Sequence, residues 1–339
     1  SMGVLAELPD PCDKGRVVED VQACAIGQGM RARITEVSAD SYGDWVEAQG
    51  RARYIITLLA RKITADQLAR VSEVVSRHGL NIDGINRLSG RIPLGDLPAY
   101  SKACVEFSVR GPLSDSSTFR RDLMEVAGAL EVDLAFQQDN VFRRNRRLVA
   151  FDMDSTLIEA EVIDELAARA GVGEQVSAIT ERAMRGEIDF SESFRERVAL
   201  LEGLEEDVLA DIARQLKITE GAEHLIATLR TLGYKTAILS GGFTYFAHFL
   251  QQRLGMDYVH ANELHIRDGK VTGEVTGTIV DGERKAQLLR QLADAEGIDL
   301  QQVIAVGDGA NDLPMLSAAG LGIACLLYTS DAADECVNV

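Results

Sequence analysis

Residues 148–156 read LVAFDMDST, and this stretch decides the fold of the second half of the chain. The four apolar residues fit a short buried strand, and Asp152 and Asp154 follow it directly. A carboxyl pair at a strand end can attack phosphorus with one member and hold a proton with the other. A solvent-exposed turn would also explain the pair, so its meaning depends on what surrounds it.

Working outward, two more apolar strands are predicted at Thr236–Leu239 and Val303–Val306, with helical segments between them. Strands that alternate with helices are typical of a doubly wound parallel sheet, whose ligands bind beyond the carboxyl ends of the strands. Residues 240–242 read SGG and residues 307–312 read GDGAND, each directly after a strand. Residues 161–219 show no strand pattern and are predicted to form a helical cap inserted after the first strand.

These motifs supply the groups that phosphate chemistry needs. The Ser240 hydroxyl and the backbone of Gly241 can grip phosphate oxygens. Lys285 lies near a predicted helix start and offers a cation, and Asp308 and Asp312 offer the hard oxygen ligands that Mg²⁺ prefers. Taken singly, SGG also fits a tight turn and Lys285 also fits a solvated surface charge, whereas GDGAND is far more specific.

The charge distribution makes that cation necessary. The net charge is −18, and residues 151–339 contain 33 acidic and 15 basic side chains, whereas residues 1–150 contain 20 of each. Such an acidic half repels nucleic acid and anionic membranes, so neither is expected as a partner. Five scattered cysteines without a C-x-x-C pair argue against a disulfide framework and favour the cytoplasm.

The first half of the chain has the rhythm of a βαββαβ unit. Thr64 is a plausible N-cap for the first helix, and His78 and Gly79 are expected to end it. The predicted strands are Tyr54–Leu59, Asn81–Arg87, Cys104–Val109 and Val132–Phe136, and the predicted second helix is Ser117–Leu130. This unit resembles an ACT domain, a ferredoxin-like α+β module that often binds amino acids. Its first turn, at residues 60–63, lacks the glycine usual in ligand-binding members, so a structural or dimerising role stays open beside amino-acid binding.

Two flanking segments are predicted as well. Residues 4–50 resemble part of a second ACT-like unit, with strands at Val4–Leu8 and Ala32–Val37 and a helix at Arg16–Ile26. The basic run at residues 143–147 is expected to be a solvated linker.

The order D-x-D-x-T, Ser, Lys, G-D-G-x-N-D over residues 147–324 resembles the haloacid dehalogenase superfamily. That resemblance implies an α/β core with a doubly wound parallel sheet and a helical cap, preceded here by the ACT-type α+β domain. It implies that Asp152 attacks phosphorus and that Asp154 acts as general acid and then base. The implied ligands of Mg²⁺ are Asp152, the backbone carbonyl of Asp154 and Asp308, with Asp312 in support. The implied phosphate-binding residues are Ser240, Gly241, Lys285 and Asn311.

The predicted cap contains Glu161, Met184, Phe190 and Arg197. A glutamate, methionine, phenylalanine and arginine at such positions resemble those of phosphoserine phosphatases, which implies O-phospho-L-serine as the substrate. Arg197 can pair with the substrate carboxylate and Glu161 with its ammonium group. Met184 and Phe190 can exclude water, although core packing would also explain these two. A phosphotransferase, a phosphatase for another small ester such as phosphohomoserine, and an amino-acid sensor with an inactive catalytic domain remain open.

The resulting division of the chain comprises a partial ACT-like unit (1–50), an ACT-like domain (51–140), a catalytic core (147–160 and 220–324), a cap (161–219) and a non-native tail (325–339). The tail is expected to be non-native because the superfamily continues beyond Ala324 with a further strand and helix. A homodimer through the ACT-like units is expected by analogy.

Overall fold

The computed structural model describes residues 12–29, 31–35, 52–90 and 103–325, together with Leu8. Helix α1 (Lys14–Gly27) confirms the first predicted helix, and Asp13 caps it by accepting a hydrogen bond from the Arg16 N–H. None of the residues of α1 is buried against other described residues. The helix is therefore held by its own hydrogen bonds and its cap in this part of the structure.

The strand predicted at Ala32–Val37 is wrong over residues 32–35, which are described and lie outside any strand. Ile34 is 40 % exposed, and no described strand runs beside it to complete a hydrogen-bonded ladder. Apart from Leu8, the strand predicted at Val4–Leu8 lies outside the described residues, as do residues 36–37 and 326–339.

The βαββαβ unit is confirmed. Its elements are β1 (Arg53–Ala60), α2 (Ala65–Arg77), β2 (Asn81–Arg87), β3 (Ala103–Arg110), α3 (Ser116–Leu130) and β4 (Asp133–Gln138). The strands form an antiparallel sheet in the order β2-β3-β1-β4. Thr64 closes a capping box with Gln67 at the start of α2, as the sequence predicted. Both helices pack on one face of the sheet around Phe107 and Phe119, which are fully buried.

The second half folds into a parallel sheet with a helical insertion. Its elements are β5 (Leu148–Phe151), α4 (Val162–Ala170), α5 (Gly173–Met184), α6 (Phe190–Ala199), α7 (Asp207–Gln215), α8 (Ala222–Thr231), β6 (Lys235–Phe243), α9 (Thr244–Leu254), β7 (Tyr258–Arg267), β8 (Lys270–Thr276), α10 (Gly282–Glu296), β9 (Val303–Gly307), α11 (Leu313–Ala318) and β10 (Leu321–Ala324). The strand order is β10-β9-β5-β6-β7-β8, and all neighbouring pairs are parallel except β7 with β8.

Strand β5 lies in the middle of this sheet, and all four of its residues are buried. Val149 and Phe151 belong to the core on one face, and Leu148 and Ala150 to the core on the other. A continuous apolar run is what a strand covered on both faces requires. The predicted doubly wound sheet is therefore confirmed. Asp152 follows the carboxyl end of β5, on the side of the sheet where ligands bind in such folds.

Helices α4 to α7 form the insertion between β5 and α8, and none of the described residues 161–219 lies in a named strand. The two connections that join this cap to the sheet run side by side. The Glu159 N–H donates to the Lys217 carbonyl at 2.9 Å, and the Thr219 N–H donates to the Leu157 carbonyl at 3.0 Å. The cap therefore meets the core through a short two-stranded neck.

The hairpin of β7 and β8 was not predicted. Asp268 and Gly269 join the two strands, and both have left-handed backbone angles, with φ of 53° and 75°. Such a pair is typical of the tight turns that connect hairpin strands. The Asp-Gly dipeptide was the available signal for this hairpin.

The expectation that residues 143–147 form a solvated linker is wrong in two places. Arg143 bonds to Glu106 of β3 at 2.5 Å, and its side chain is 16 % exposed. Arg146 is buried and donates to the carbonyls of Gln301 and Val303. The run therefore contacts the βαββαβ unit through Arg143 and the parallel-sheet unit through Arg146. Both guanidinium groups have polar partners that a solvated linker would lack.

Candidate active site

The carboxyl ends of β5, β6 and β9 meet at one edge of the parallel sheet, and the predicted catalytic groups converge there. The Lys285 Nζ lies 2.9 Å from Asp152 Oδ1 and 2.7 Å from Asp312 Oδ1. All three side chains are buried. Lys285 is placed by α10, whose first turn is capped by the Asp281 side chain. The structure therefore brings together a nucleophile candidate, a cation and a second carboxylate.

Burial raises the pKa of Asp152 to about 7, although Lys285 opposes this shift. Burial lowers the pKa of Lys285, but the Asp152 and Asp312 carboxylates outweigh it, so that the net shift is upward. The ammonium group is thereby held in its charged form between two acids.

Three carboxylates at this edge form a candidate metal centre. Oxygen atoms of Asp152, Asp308 and Asp312 all lie within 4.8 Å of one another. Burial raises the pKa of Asp308 to about 6, and the Thr156 hydroxyl donates to its Oδ1 at 2.9 Å. A set made entirely of carboxylate oxygens suits a hard divalent cation. The residues present therefore fit the metal that the sequence predicted.

Asp154 points to a different partner. Its Oδ1 accepts a hydrogen bond from the Val162 N–H at 2.9 Å, at the start of cap helix α4. Burial first, then the neighbouring Glu161 and Asp152, raise its pKa well above the usual range of a carboxyl group. An upward shift of this kind favours the protonated form of the carboxyl group, which is the form that can donate a proton. Its predicted metal contact, through the backbone carbonyl, stays a prediction.

The residues 240–242 pack against Asp154 and the cap. A Cβ atom on Gly242 would lie 2.6 Å from Asp154 Oδ2, and one on Gly241 would lie 2.8 Å from Cζ of Phe190. Only glycine fits at these two positions without displacing a neighbour. Ser240 is fully buried, and its Oγ accepts from the Gly242 N–H at 2.8 Å. The backbone of residues 240–242, near the end of β6, therefore lies directly beside the proposed acid, Asp154.

The cap places three of its four predicted residues at this edge. Phe190 lies over Gly241 and stacks on Phe194, with ring centroids 6.1 Å apart. Glu161 accepts from the Ser155 hydroxyl at 2.7 Å. Burial lowers the pKa of Arg197, while the charges of Asp164, Glu161 and Asp154 act on it in the opposite sense. The guanidinium therefore lies in the electrostatic field of the site's carboxylates.

Met184 is not brought to the site, because it ends α5 with 69 % of its surface exposed. Asn311 lies in the short 3₁₀ turn Ala310–Asp312 after β9 and is half-buried. Among the described residues, neither side chain makes a hydrogen bond or ion pair with Asp152 or Lys285, so the predicted roles of Met184 and Asn311 stay predictions.

The sequence analysis gave two polar residues of the site no role, although one of them, Thr156, ends the D-x-D-x-T motif. Thr156 supports Asp308, and its carbonyl accepts from the Thr219 hydroxyl at 2.8 Å. Asn262, 3 % exposed on β7, binds the backbone of Gly241 and of Val280. Asn262 was missed because strand β7 was not predicted. Its position directly after Tyr258–Ala261 was the available signal.

A model of haloacid dehalogenase-like hydrolases matches residues 146–320, and a model of the ACT domain matches residues 52–137. The chain belongs to the haloacid dehalogenase-like hydrolases. The match covers both strands that carry the acidic motifs of this hydrolase and the cap between them. The predicted fold class is thereby confirmed for both parts of the hydrolase.

Two curated relatives of this hydrolase are phosphoserine phosphatases. The protein of Streptomyces coelicolor is 44 % identical over 293 residues, which cover 86 % of this chain and 69 % of the relative. The protein of Mycobacterium tuberculosis is 41 % identical over 325 residues, which cover 96 % of this chain and 76 % of the relative.

Solved structures give the same picture. A haloacid dehalogenase family hydrolase of Salmonella enterica superposes with a TM-score of 0.68 at 30 % identity, over 80 % of this chain and 89 % of that one. A phospho-aspartyl intermediate analogue of a phosphoserine phosphatase superposes with a TM-score of 0.50 at 44 % identity, over 53 % of this chain and 86 % of that one. Within the described residues, no helix is both long and apolar enough to cross a bilayer.

Proposed function

We propose that this hydrolase is a magnesium-dependent phosphatase that converts O-phospho-L-serine to L-serine and phosphate through an aspartyl-phosphate on Asp152. The observation that carries the proposal is the buried Asp152 carboxylate, fixed by Lys285 beside two more aspartates at the sheet edge. Relatives named for this activity, one of them solved as a phospho-aspartyl analogue, support it. The reaction would be the last step of serine biosynthesis, in the cytoplasm.

The nucleophile is held in one orientation before the substrate arrives. Asp152 Oδ1 accepts the Met153 N–H at 2.8 Å and pairs with Lys285, so we expect Oδ2 to attack phosphorus. An aspartate that approaches a phosphate meets repulsion of about 4 kcal/mol for each pair of unit charges at 4 Å and an effective dielectric of 20. Lys285 offsets part of this repulsion from a position that needs no rearrangement.

Mg²⁺, held by the carboxylates of Asp152 and Asp308 and the backbone carbonyl of Asp154, with Asp312 in support, would supply the remaining positive charge and polarise the phosphoryl group. These residues fit it because they offer oxygen ligands at close range. Ser240, Gly241 and Asn311 would bind the phosphoryl oxygens through hydrogen bonds, alongside Lys285.

Asp154 would give its proton to the departing serine oxygen and then take one from the water that hydrolyses the aspartyl-phosphate. The raised pKa supports the first role, because an acid must still carry its proton near neutral pH. Its hydrogen bond to the Val162 N–H at the start of the cap supports a position between the phosphoryl group and the amino-acid part of the substrate.

Recognition of serine would fall to the cap. Among the described residues, no carboxylate lies within ion-pair distance of the Arg197 guanidinium, and its Nε donates a hydrogen bond to the Ser193 carbonyl. It is therefore available for a two-pronged bond to the substrate carboxylate. Glu161 would take the ammonium group, and Phe190 with Met184 would exclude water once the cap closes.

The test is phosphate release from O-phospho-L-serine by the full chain, with Mg²⁺ and with a chelator, beside Asp152→Asn. We expect the chelated sample and the variant to lose at least about 10⁴-fold in rate, because each lacks an essential part of the phosphoryl-transfer site. Circular dichroism of every sample shows whether it is folded, so that loss of activity is not confused with loss of structure.

The rival activities give different results in the same assay. Faster phosphate release from phosphohomoserine, or transfer of the phosphoryl group to an added alcohol, would show that the proposed substrate or reaction is wrong. The role of Asp152 as the nucleophile would be unaffected. Binding of L-serine by a folded chain without turnover would identify a sensor and contradict the proposal. The expected homodimer is tested separately by size-exclusion chromatography with light scattering. A mass equal to that of one chain would exclude the homodimer.

A further inference from the structure

Residues 240–242, the predicted phosphate-binding segment, lie near the end of β6, where the pairing of β6 with β7 is interrupted. Strands β6 and β7 pair in parallel through Leu239 and His260, and the next paired residues are Phe243 and Asn262. The ladder is therefore interrupted over residues 240–242. Backbone groups in such an interruption need other partners when they are buried.

The Asn262 side chain supplies one of these partners. Its Nδ2 donates to the Gly241 carbonyl at 2.8 Å, and its Oδ1 accepts from the Val280 N–H at 2.7 Å. The side chain is 3 % exposed, so both bonds are shielded from water. One amide therefore joins the phosphate-binding segment to the residue that directly precedes Asp281, the N-cap of the helix that places Lys285.

The bond to Gly241 has a consequence for Ser240. The Gly241 carbonyl and the Gly242 N–H belong to one planar trans peptide, so fixing the carbonyl also fixes the direction of the N–H. That N–H donates to the Ser240 Oγ at 2.8 Å. Because the oxygen already accepts a bond there, the hydroxyl hydrogen is left to point at another acceptor.

We propose that Asn262 is a positioning residue for phosphate binding: it orients the Gly241–Gly242 peptide and, through it, aims the Ser240 hydroxyl at the phosphoryl oxygens. The proposal rests on the proposed phosphatase function. Asn262 itself does not touch the substrate in this scheme. It acts on the phosphate half of the site and leaves the serine half, at Arg197 and Glu161, unchanged.

The test is calorimetric titration of the magnesium-loaded full chain with inorganic phosphate and, separately, with L-serine. Asn262→Leu removes both hydrogen bonds, keeps the branching of the side chain at Cγ and adds no charge near the phosphate. We expect the dissociation constant for phosphate to rise by about tenfold or more, as for the loss of a bond that orients a charged-ligand contact. The dissociation constant for L-serine should change less than about twofold.

The matched control is Thr236→Val, at the opposite end of β6. Thr236 is fully buried, and its hydroxyl bonds to Asp257 beside β7. This variant also loses a buried hydrogen bond of the same strand pair, so its melting temperature should fall, whereas its phosphate affinity should remain that of the unsubstituted chain. A purely structural role for Asn262 would make the two variants behave alike, and that result would overturn the proposal.

A double-substitution cycle tests the route through Ser240. In a Ser240→Ala background, Asn262→Leu should weaken phosphate binding by less than about twofold, because the hydroxyl it orients is gone. A tenfold rise of the dissociation constant in that background would contradict the proposed route from Asn262 through the Gly241–Gly242 peptide to Ser240. If Asn262→Leu does not fold, Asn262→Ala is titrated instead, and unchanged phosphate affinity in that variant would overturn the proposal. If the unsubstituted chain binds phosphate but does not hydrolyse phosphoserine, the proposed function is wrong. The positioning role of Asn262 can then still be tested by the same titration.

Discussion

In the ACT-like unit, Gln67 is the one buried polar side chain among the residues that the structure describes, and it closes the capping box of α2. The catalytic edge of the hydrolase unit instead buries Asp152, Lys285 and Asp312 in mutual contact. Buried charges cost several kcal/mol each in desolvation and recover it only through well-placed partners. The ACT-like core is therefore built by packing, whereas the catalytic edge retains groups that packing alone would exclude.

Removing the cation from the catalytic edge should produce the largest effect. Lys285→Met leaves two buried carboxylates without their ammonium partner, which costs about 3–5 kcal/mol of folding free energy. Phosphatase activity should fall at least about 10³-fold, because the charge that stabilises the phosphoryl group is lost. Thermal unfolding in the presence of a chelator measures the first effect, since a bound divalent cation would otherwise substitute for the lost charge.

Lys235→Met is the control for this variant. Lys235 pairs with Asp257 at 3.1 Å on the same sheet, but its side chain is 45 % exposed. An exposed pair is worth about 0–1 kcal/mol, so unfolding and activity should change little. Equal destabilisation by the two substitutions would remove the contrast between buried and exposed charge.

In the core of the ACT-like unit, a substitution should lower stability without lowering activity. Phe107→Ala empties a fully buried site in the ACT-like unit and should destabilise that unit by about 3–5 kcal/mol. Activity at 25 °C should stay within about twofold, since no catalytic group lies in that core. Circular dichroism follows unfolding, and phosphate release is measured on the same samples. A parallel loss of activity would mean that the catalytic edge depends on the ACT-like core.

The same contrast explains what the sequence could predict. Strand β5 and the motifs at the carboxyl ends of β5, β6 and β9 were found because an apolar run followed by polar residues is a local pattern. The contacts of Asn262 and Thr156 were missed, since each bonds to groups far away in the chain. No spacing rule reports which backbone carbonyl a buried amide will meet once strands from different parts of the chain are aligned.

The basic run at residues 143–147 was interpreted wrongly for a related reason. A cluster of arginines is usually solvated, and Arg144 and Arg147 are exposed as expected. Arg143 and Arg146 differ because the fold brings a carboxylate and two carbonyls to them. Composition gives the charge of a segment, whereas its burial depends on the tertiary neighbours.

The join between the two units provides the smallest and sharpest test. Glu106 lies between Val105 and Phe107, which face the core, so its side chain projects from the opposite face of the sheet to meet Arg143. Glu106→Gln keeps the shape and removes the charge, leaving Arg143 with Asp139 at 3.6 Å. We expect a loss of about 1–3 kcal/mol in thermal unfolding, as for a hydrogen bond to a charged group in a partly buried setting.

The matched control is Arg70→Gln, which breaks the exposed pair of Arg70 and Asp66 on α2 and should cost less than about 0.5 kcal/mol. If Glu106→Gln costs no more than this control, Arg143 does not hold the units together. If it costs more and the unfolding of the ACT-like unit separates from that of the hydrolase unit, the polar contact at Arg143 couples two regions whose interiors are built on different principles.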